Sequence, residues 1–284
     1  MNNTNIDVKN LLDTIDSINT KNYAFHVYVP SLQKEVPFLQ INTGQQKSLI
    51  KSVIDSPVYN TEFIYTIRNI IKENCLDKEV NVDDLTLFDK LIICLALRSK
   101  SISSTYEFSY NHEGADLKHN IELDSLIETA KQVNVELNKV IEYQDYKITT
   151  QVPTIGIEYK VEKDLRSKNR QGNENIQNSE QLRSIVGEAF MTELVKYIKD
   201  IEIPSGEDVI RINFSDITPK DSISILSKLP IRVLESILDF VNDYSKTTGS
   251  VTKIQVPAGV DPVTNEVKFI EQEIPINGNF FIIS

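Results

Sequence analysis

Several residue types on which catalytic and ligand-binding sites depend are scarce in this chain. Its 284 residues include three histidines, two cysteines, nine glycines and no tryptophan. Nine glycines leave few tight backbone cradles for phosphate, and the motifs GxGxxG, GxxxxGK[ST], GxSxG and HExxH do not occur. Three histidines restrict metal-binding and acid–base sites. These shortages argue against nucleotide-binding enzymes, serine hydrolases and zinc proteases.

Basic clusters and long apolar runs are also missing. The chain has 41 acidic and 30 basic side chains, for a formal charge of −11, with no basic block to neutralise phosphates. We therefore expect no nucleic-acid ligand. The apolar runs, such as KLIICLALR, are too short to cross a bilayer, and the first residues, MNNTNIDVKNLL, do not resemble a secretory signal. We expect a soluble protein that is made and kept in the cytoplasm, with no membrane partner.

The two cysteines, Cys75 and Cys94, lie in apolar segments with helical periodicity. Such placement predicts buried free thiols in a reducing compartment.

The first part of the chain predicts a helix, a hairpin and a helical cluster. Residues 5–18 place apolar side chains at helical spacing on an N-terminal arm, residues 1–20. Residues 23–41 read as two extended segments around the turn PSLQK, which is typical of a hairpin. Three amphipathic helices should follow. Their predicted N-caps are Thr43, then Asn60 or Thr61, then Thr86, which forms a looser capping box with Asp89.

Residues 105–127, TYEFSYNHEGADLKHNIELDSLI, return the chain to β structure and begin another helix. Tyr106, Phe108 and Tyr110 alternate and should face the same way. His112 and His119 flank the tip and offer a weak metal site with Glu113 and Asp116, although exposed turn histidines are the commoner situation. His26 is expected on a strand surface.

The second part predicts extended structure for residues 146–161, a polar mobile loop at residues 166–180 and a helix at residues 179–200. A strand, GEDVIRINF, and two helices separated near Leu229 and Pro230 should follow. The tail predicts three strands, VTKIQV, EVKFIEQEIPI and NFFIIS. We therefore predict an α+β fold with an arm at residues 1–20, one α+β domain at residues 21–145 and a second α+β region at residues 146–284.

Two pairs of carboxylates and one arginine are candidates for acid–base catalysis or anion binding. Asp83 with Asp84, and Glu271 with Glu273, resemble acid–base pairs, but a helix flank and a solvent-facing strand explain them better. Arg98 either grips an anion or closes a helix C-terminus, the commoner role.

Apolar side chains at the two ends of the chain are better candidates for function. The arm carries a stripe of large aliphatic residues, and a terminal strand as apolar as NFFI must be buried, either in its own sheet or against another chain. The candidate partner-binding residues are Leu11, Leu12, Ile15, Phe280, Phe281 and Ile282.

Three segments carry a family resemblance: the PS turn of the first hairpin, the helix entry TGQQK, and LTLFDKLIICLALRSKSI. With these segments, residues 23–130 resemble the baseplate hub proteins of T-even-like bacteriophages. Two shorter segments, LPIRVLESILDFVNDY and NFFI, are weaker echoes of the same family.

The resemblance implies a baseplate component and no catalytic activity. Family members can carry a Cys-x-x-Cys knuckle, similar to a small zinc ribbon, where this chain has YEFSYNHEGADLKHNIEL. Residues 110–113 stand where such a pair would be, so the resemblance implies a zinc-ribbon-like hairpin that has lost its cysteines. We expect packing of its alternating side chains to hold this hairpin, with no metal and no other cofactor.

We therefore expect a structural subunit of the hub of a contractile-tailed phage, located in the virion baseplate and assembled in the host cytoplasm. Its partners would be other baseplate and tail subunits, with no small-molecule substrate. The alternatives are a transient hub assembly chaperone that is absent from the mature virion, and a metal-assisted hydrolase that uses His112, His119 and nearby acids.

Overall fold

A computed structural model describes residues 8–55, 61–169, 187, 189–206, 208–260 and 264–282. It confirms the predicted α+β class: helices alternate with small antiparallel sheets. Among the described residues, no helix combines the length and the apolar character that a membrane span requires.

The N-terminal elements follow the predicted order of helix, hairpin and helical cluster. In the first hairpin, Val27 lies opposite Val36, and a 3₁₀ turn at Pro30–Leu32 joins the two strands. One face of this hairpin is buried, and His26 lies exposed on the other. The elements are α1 (Val8–Asn22), β1 (Ala24–Val29), β2 (Lys34–Leu39), α2 (Thr43–Asp55), α3 (Thr61–Asn74), α4 (Leu87–Ser101), β3 (Thr105–His112), β4 (Ala115–Glu122) and α5 (Leu123–Gln132).

Helix caps show one error and one confirmation. The prediction that Thr43 caps α2 is wrong, because Asn42 does so: its Oδ1 accepts from the Gln45 backbone N–H at 2.9 Å, and the Gln45 side chain accepts from the Asn42 N–H at 3.1 Å. The capping box of Thr86 and Asp89 on α4 is confirmed, with both reciprocal bonds present.

The elements of the second half are β5 (Val140–Tyr143), β6 (Tyr146–Thr150), α6 (Ile155–Asn169), β7 (Ile198–Ser205), β8 (Asp208–Asn213), α7 (Pro219–Leu226), α8 (Ile231–Thr252), β9 (Lys253–Val260) and β10 (Val267–Glu273). Four of the strands form an antiparallel sheet in the order β5-β6-β7-β8. A row of four isoleucines crosses it, one per strand, with Ile201 of β7 opposite Ile148 of β6. A separate two-stranded ribbon, β9 with β10, precedes a final 3₁₀ turn at Gly278–Phe281.

Extended structure throughout residues 146–161 is a wrong prediction, because a helix, α6, begins at Ile155. Its N-cap is Thr154, whose hydroxyl accepts from the Ile157 N–H at 3.3 Å. The buried side chains follow helical spacing: Ile155, Glu158 and Val161. Tyr159 packs its ring 4.6 Å from that of Tyr65 on α3.

Three further predictions differ from the structure or fall partly outside it. The predicted helix at residues 179–200 is wrong at its end, since helical residues 189–195 are followed by β7 from Ile198. Of the predicted mobile loop, residues 166–169 belong to α6 and residues 170–180 lie outside the described residues. The third C-terminal strand is the 3₁₀ turn at Gly278–Phe281, which the Asn277 side chain caps.

The core consists of two main hydrophobic clusters. The second cluster is built from the four-stranded sheet, α7 and α8 in the later part of the chain. The first joins the β1–β2 hairpin to α3, α4, β3 and α5, and it also takes in Val251, Val256, Ile274, Phe280 and Phe281 from the far end of the chain. The C-terminal residues thus complete the core of the N-terminal elements.

Candidate functional site

Helix α1 presents an uncovered apolar stripe. None of its residues is buried, and its five large aliphatic side chains are between 43% and 61% exposed. They follow the spacing i, i+3, i+4, i+7 and i+10, which places them on one side of a helix. They are Val8, Leu11, Leu12, Ile15 and Ile18. Three predicted partner-binding residues, Leu11, Leu12 and Ile15, thus lie together on the surface.

A cavity of about 520 Å³ lies between α1 and the body of the protein. Asp16 and Asn19 line it from α1, and Glu73 and Asn74 line it from the end of α3. Its polar character comes from carboxylates, side-chain amides and hydroxyls, and its lining contains no lysine, arginine or histidine. This cavity could not be predicted from the sequence, because α1 and α3 line it together only in the folded chain and no local motif marks their pairing.

The predicted C-terminal candidates lie elsewhere and in a different environment. Phe280 and Phe281 are fully buried in the first hydrophobic cluster, and Ile282 is partly buried. The Phe281 ring lies 6.2 Å from that of Phe63, and the Phe280 ring meets Tyr106 edge-on at 5.0 Å. This burial within the chain's own core argues against a partner contact by either phenylalanine.

The β3–β4 hairpin is held by its turn and its aromatic face. His112 pairs with Ala115, so Glu113 and Gly114 form a two-residue turn, with φ of 51° and 83°. Positive φ at both positions is the signature of a type I′ turn. On the predicted face, the rings of Phe108 and Tyr110 stack at 5.8 Å.

The two hairpin histidines are not brought together. His119 lies opposite Phe108, four residues along the strand from His112, which is a separation of about 13 Å at ~3.3 Å per residue. That span is too long for one metal ion. Across the described part of the chain, no group of three histidine, cysteine or acidic residues is placed to hold an ion.

The turn geometry gives a test with opposite signs at two glycines. Gly114→Ala is expected to lower the free energy of unfolding by about 1 kcal/mol, because alanine is strained at φ 83° although the added methyl meets no atom within 4 Å. Gly249→Ala in α8, where the methyl makes ordinary contacts with Lys253, should raise it by about 0.5–1 kcal/mol. Urea denaturation measures both. Equal effects of the two changes would contradict the assignment of the turn.

The remaining candidate acids serve structure. Arg68 grips Asp83 with two bonds of 2.7 Å and stacks over Tyr159 at 3.9 Å, so it ties α3 to α6. The hydrogen bonds from Arg68 hold the pKa of the Asp83 carboxyl below its usual value. Glu271 and Glu273 are exposed on β10, as predicted.

Arg98 lies in the last turn of α4, as predicted for a cation near a helix C-terminus, and its side chain packs against two aromatic rings. Its side chain is fully buried, 4.9 Å from the centre of the Tyr106 ring and 5.4 Å from that of Phe280. Its Nε and Nη1 have no hydrogen-bond partner among the described residues. Burial lowers the pKa of Arg98. The two rings therefore provide the visible stabilisation of this cation, through cation–π contacts.

Both thiols are free and buried, as predicted. Burial raises the pKa of Cys94 to about 12, so this thiol is not a nucleophile at neutral pH.

Comparison with known proteins gives one match, to a family model. Residues 20–256 match the model of a family described as T4 bacteriophage base plate protein. No curated protein and no solved structure matches the chain. Most of α1 precedes the matched span, and the C-terminal turn follows it.

Proposed function

The chain belongs to the T4 bacteriophage base plate protein family, which gives it a structural role in a phage baseplate, and we propose that it is a subunit of the baseplate hub that binds its neighbours through α1. The family places the protein in the tail baseplate of the virion and implies contacts with other tail and baseplate proteins. Assembly in the host cytoplasm is part of the proposal, as is the absence of catalysis, nucleic-acid binding and a small-molecule substrate.

The exposed stripe of α1 is the observation that supports this binding role. A fully buried Val, Leu or Ile side chain is worth about 1.5–3 kcal/mol relative to an exposed one. The five stripe residues are about half exposed, so a partner that covers them gains roughly half of that at each. A helix that buries none of its own residues is stabilised when a partner packs on it.

A triple variant tests the stripe. Leu11→Ser, Leu12→Ser and Ile15→Ser together should reduce incorporation into hub complexes at least about tenfold, because central apolar contacts dominate interface energetics. The measurement is quantitative mass spectrometry of complexes sedimented after coexpression with the other baseplate genes. Leu137→Ser, Val209→Ser and Ile231→Ser, which change three comparably exposed aliphatic residues elsewhere, form the control. Incorporation of the α1 variant within twofold of the control would contradict the proposal.

The composition of purified virions tests the hub assignment against the alternative of a transient assembly chaperone. A structural subunit should be present in stoichiometric amounts by mass spectrometry. Its absence from virions, together with its presence on assembly intermediates, would favour the chaperone.

A further inference from the structure

We propose that the α1 stripe and the adjoining cavity form one docking surface for a basic amphipathic helix of another baseplate subunit, with a partner lysine or arginine side chain entering the cavity. This inference rests on the proposed function and specifies the chemistry of the partner.

The stripe and the cavity are continuous on the helix surface. Leu12 and Asp16 are four residues apart, as are Ile15 and Asn19, so each pair lies one above the other along α1. In both pairs the first residue belongs to the stripe and the second lines the cavity. A helix packed along the stripe therefore passes the mouth of the cavity.

The charged side chains that line the cavity are both acidic. Asp16 and Glu73 supply carboxylates from its two sides. No lysine, arginine or histidine is among the described residues that line the cavity with them. Glu73 accepts one bond, from the Gln45 side-chain amide at 3.0 Å.

Two of the side-chain amides around the cavity donate within the chain. The Asn74 side-chain nitrogen is within hydrogen-bond distance of the backbone oxygens of Leu39 and Gln40, at 3.2 and 3.3 Å. The Gln45 side-chain nitrogen donates to Glu73 and to the Asn74 side-chain oxygen. The two carboxylates, with no basic side chain in the lining beside them, suit an ammonium or a guanidinium group.

Shape and charge together select a helix with basic residues over other occupants. The stripe has the anchor spacing of a helix that lies along another helix. The cavity volume of about 520 Å³ admits a long side chain with its waters. The net charge of −11 also favours approach of a basic surface.

Two labelled peptides test the pairing with the full-length chain by fluorescence anisotropy. Both carry leucines at positions i, i+3, i+4 and i+7, and they differ only in having lysine or glutamate at their polar positions. The wild-type chain should bind the lysine peptide at least about tenfold more tightly than the glutamate peptide, and less tightly as salt is raised.

Matched charge reversals localise the effect. Asp16→Lys with Glu73→Lys should remove the preference for the lysine peptide. Asp13→Lys with Glu79→Lys applies the same charge change to α1 and to the segment after α3, outside the cavity, and should leave the affinity within about threefold. An equal loss in both variants would assign the preference to overall acidity and overturn the inference. Equal binding of the two peptides, or no binding of either, would also overturn it.

The incorporation assay separates this inference from the proposed function. If the triple serine variant fails to enter hub complexes while the Asp16→Lys, Glu73→Lys variant enters normally, the α1 contact stands and the cation site falls.

Discussion

Replacing Phe281 by alanine is expected to lower the free energy of unfolding by about 3–5 kcal/mol. The ring is fully buried, lies 6.2 Å from that of Phe63 and meets Phe280 nearly perpendicularly at 5.3 Å. Its removal leaves a cavity that the surroundings fill poorly, because the adjoining Gly278 already touches α2: a Cβ placed there would lie 2.1 Å from Val53 Cγ2.

Phe269→Ala is the matched control for this prediction. It makes the same chemical change in β10, where the ring is 58% exposed, and should alter stability by no more than about 0.5 kcal/mol. Denaturant titration followed by circular dichroism measures both variants. A loss below about 1 kcal/mol for Phe281→Ala would show that the C-terminal turn does not belong to the core.

The second large effect is expected at the ion pair of Lys90 and Glu158. Their side chains are 12% and 11% exposed, and Lys90 Nζ lies 2.5 Å from Glu158 Oε2. Glu158→Ala leaves the Lys90 ammonium buried without a counter-ion, so the free energy of unfolding should fall by about 3–5 kcal/mol. Denaturant titration at neutral pH measures the loss.

Two controls define what this second result means. Glu107→Ala breaks a pair with Lys118 that is 2.6 Å long but exposed on the β3–β4 hairpin, and should cost no more than about 1 kcal/mol. Replacing both partners, with Lys90→Met and Glu158→Leu, should recover most of the stability, since the cost lies in the unpaired charge. A double variant as unstable as Glu158→Ala would point instead to lost packing.

The ion pair of Lys90 and Glu158 is one of several polar contacts by which α6 connects other elements of the fold. Glu162, one turn after Glu158, lies 3.7 Å from the buried Lys196, which also pairs with Glu193. Arg68 stacks on Tyr159 of the same helix. The helix therefore fastens α3 and α4 to the segment that leads into the four-stranded sheet.

Local patterns predicted the elements whose evidence is local. The Thr86 capping box, the β1–β2 hairpin and the amphipathic α1 each depend on side chains a few residues apart, and all three are confirmed. The α6 prediction failed because both faces of that helix are partly apolar: one packs on the core and the other presents Tyr159 to α3, which imitates the alternation of a strand.

The candidate site required information that no short window of sequence holds. The stripe was visible in Leu11, Leu12 and Ile15, but the cavity depends on Glu73 lying across from Asp16. Phe280 and Phe281 were candidates for a partner contact, with burial in the chain's own sheet as the alternative, and their burial in the first hydrophobic cluster depends on contacts with α2 and α3 that lie far away in the sequence.

The composition of the first hydrophobic cluster has a consequence for synthesis on the ribosome. Helices α3 and α4 emerge early, yet the cluster includes Ile274, Phe280 and Phe281, which are translated long after them. At ~5–20 residues per second, the nascent N-terminal elements wait many seconds with their core incomplete. Emergence of residues 274–281, more than that of any earlier segment, therefore sets the moment at which this subunit can become a rigid building block.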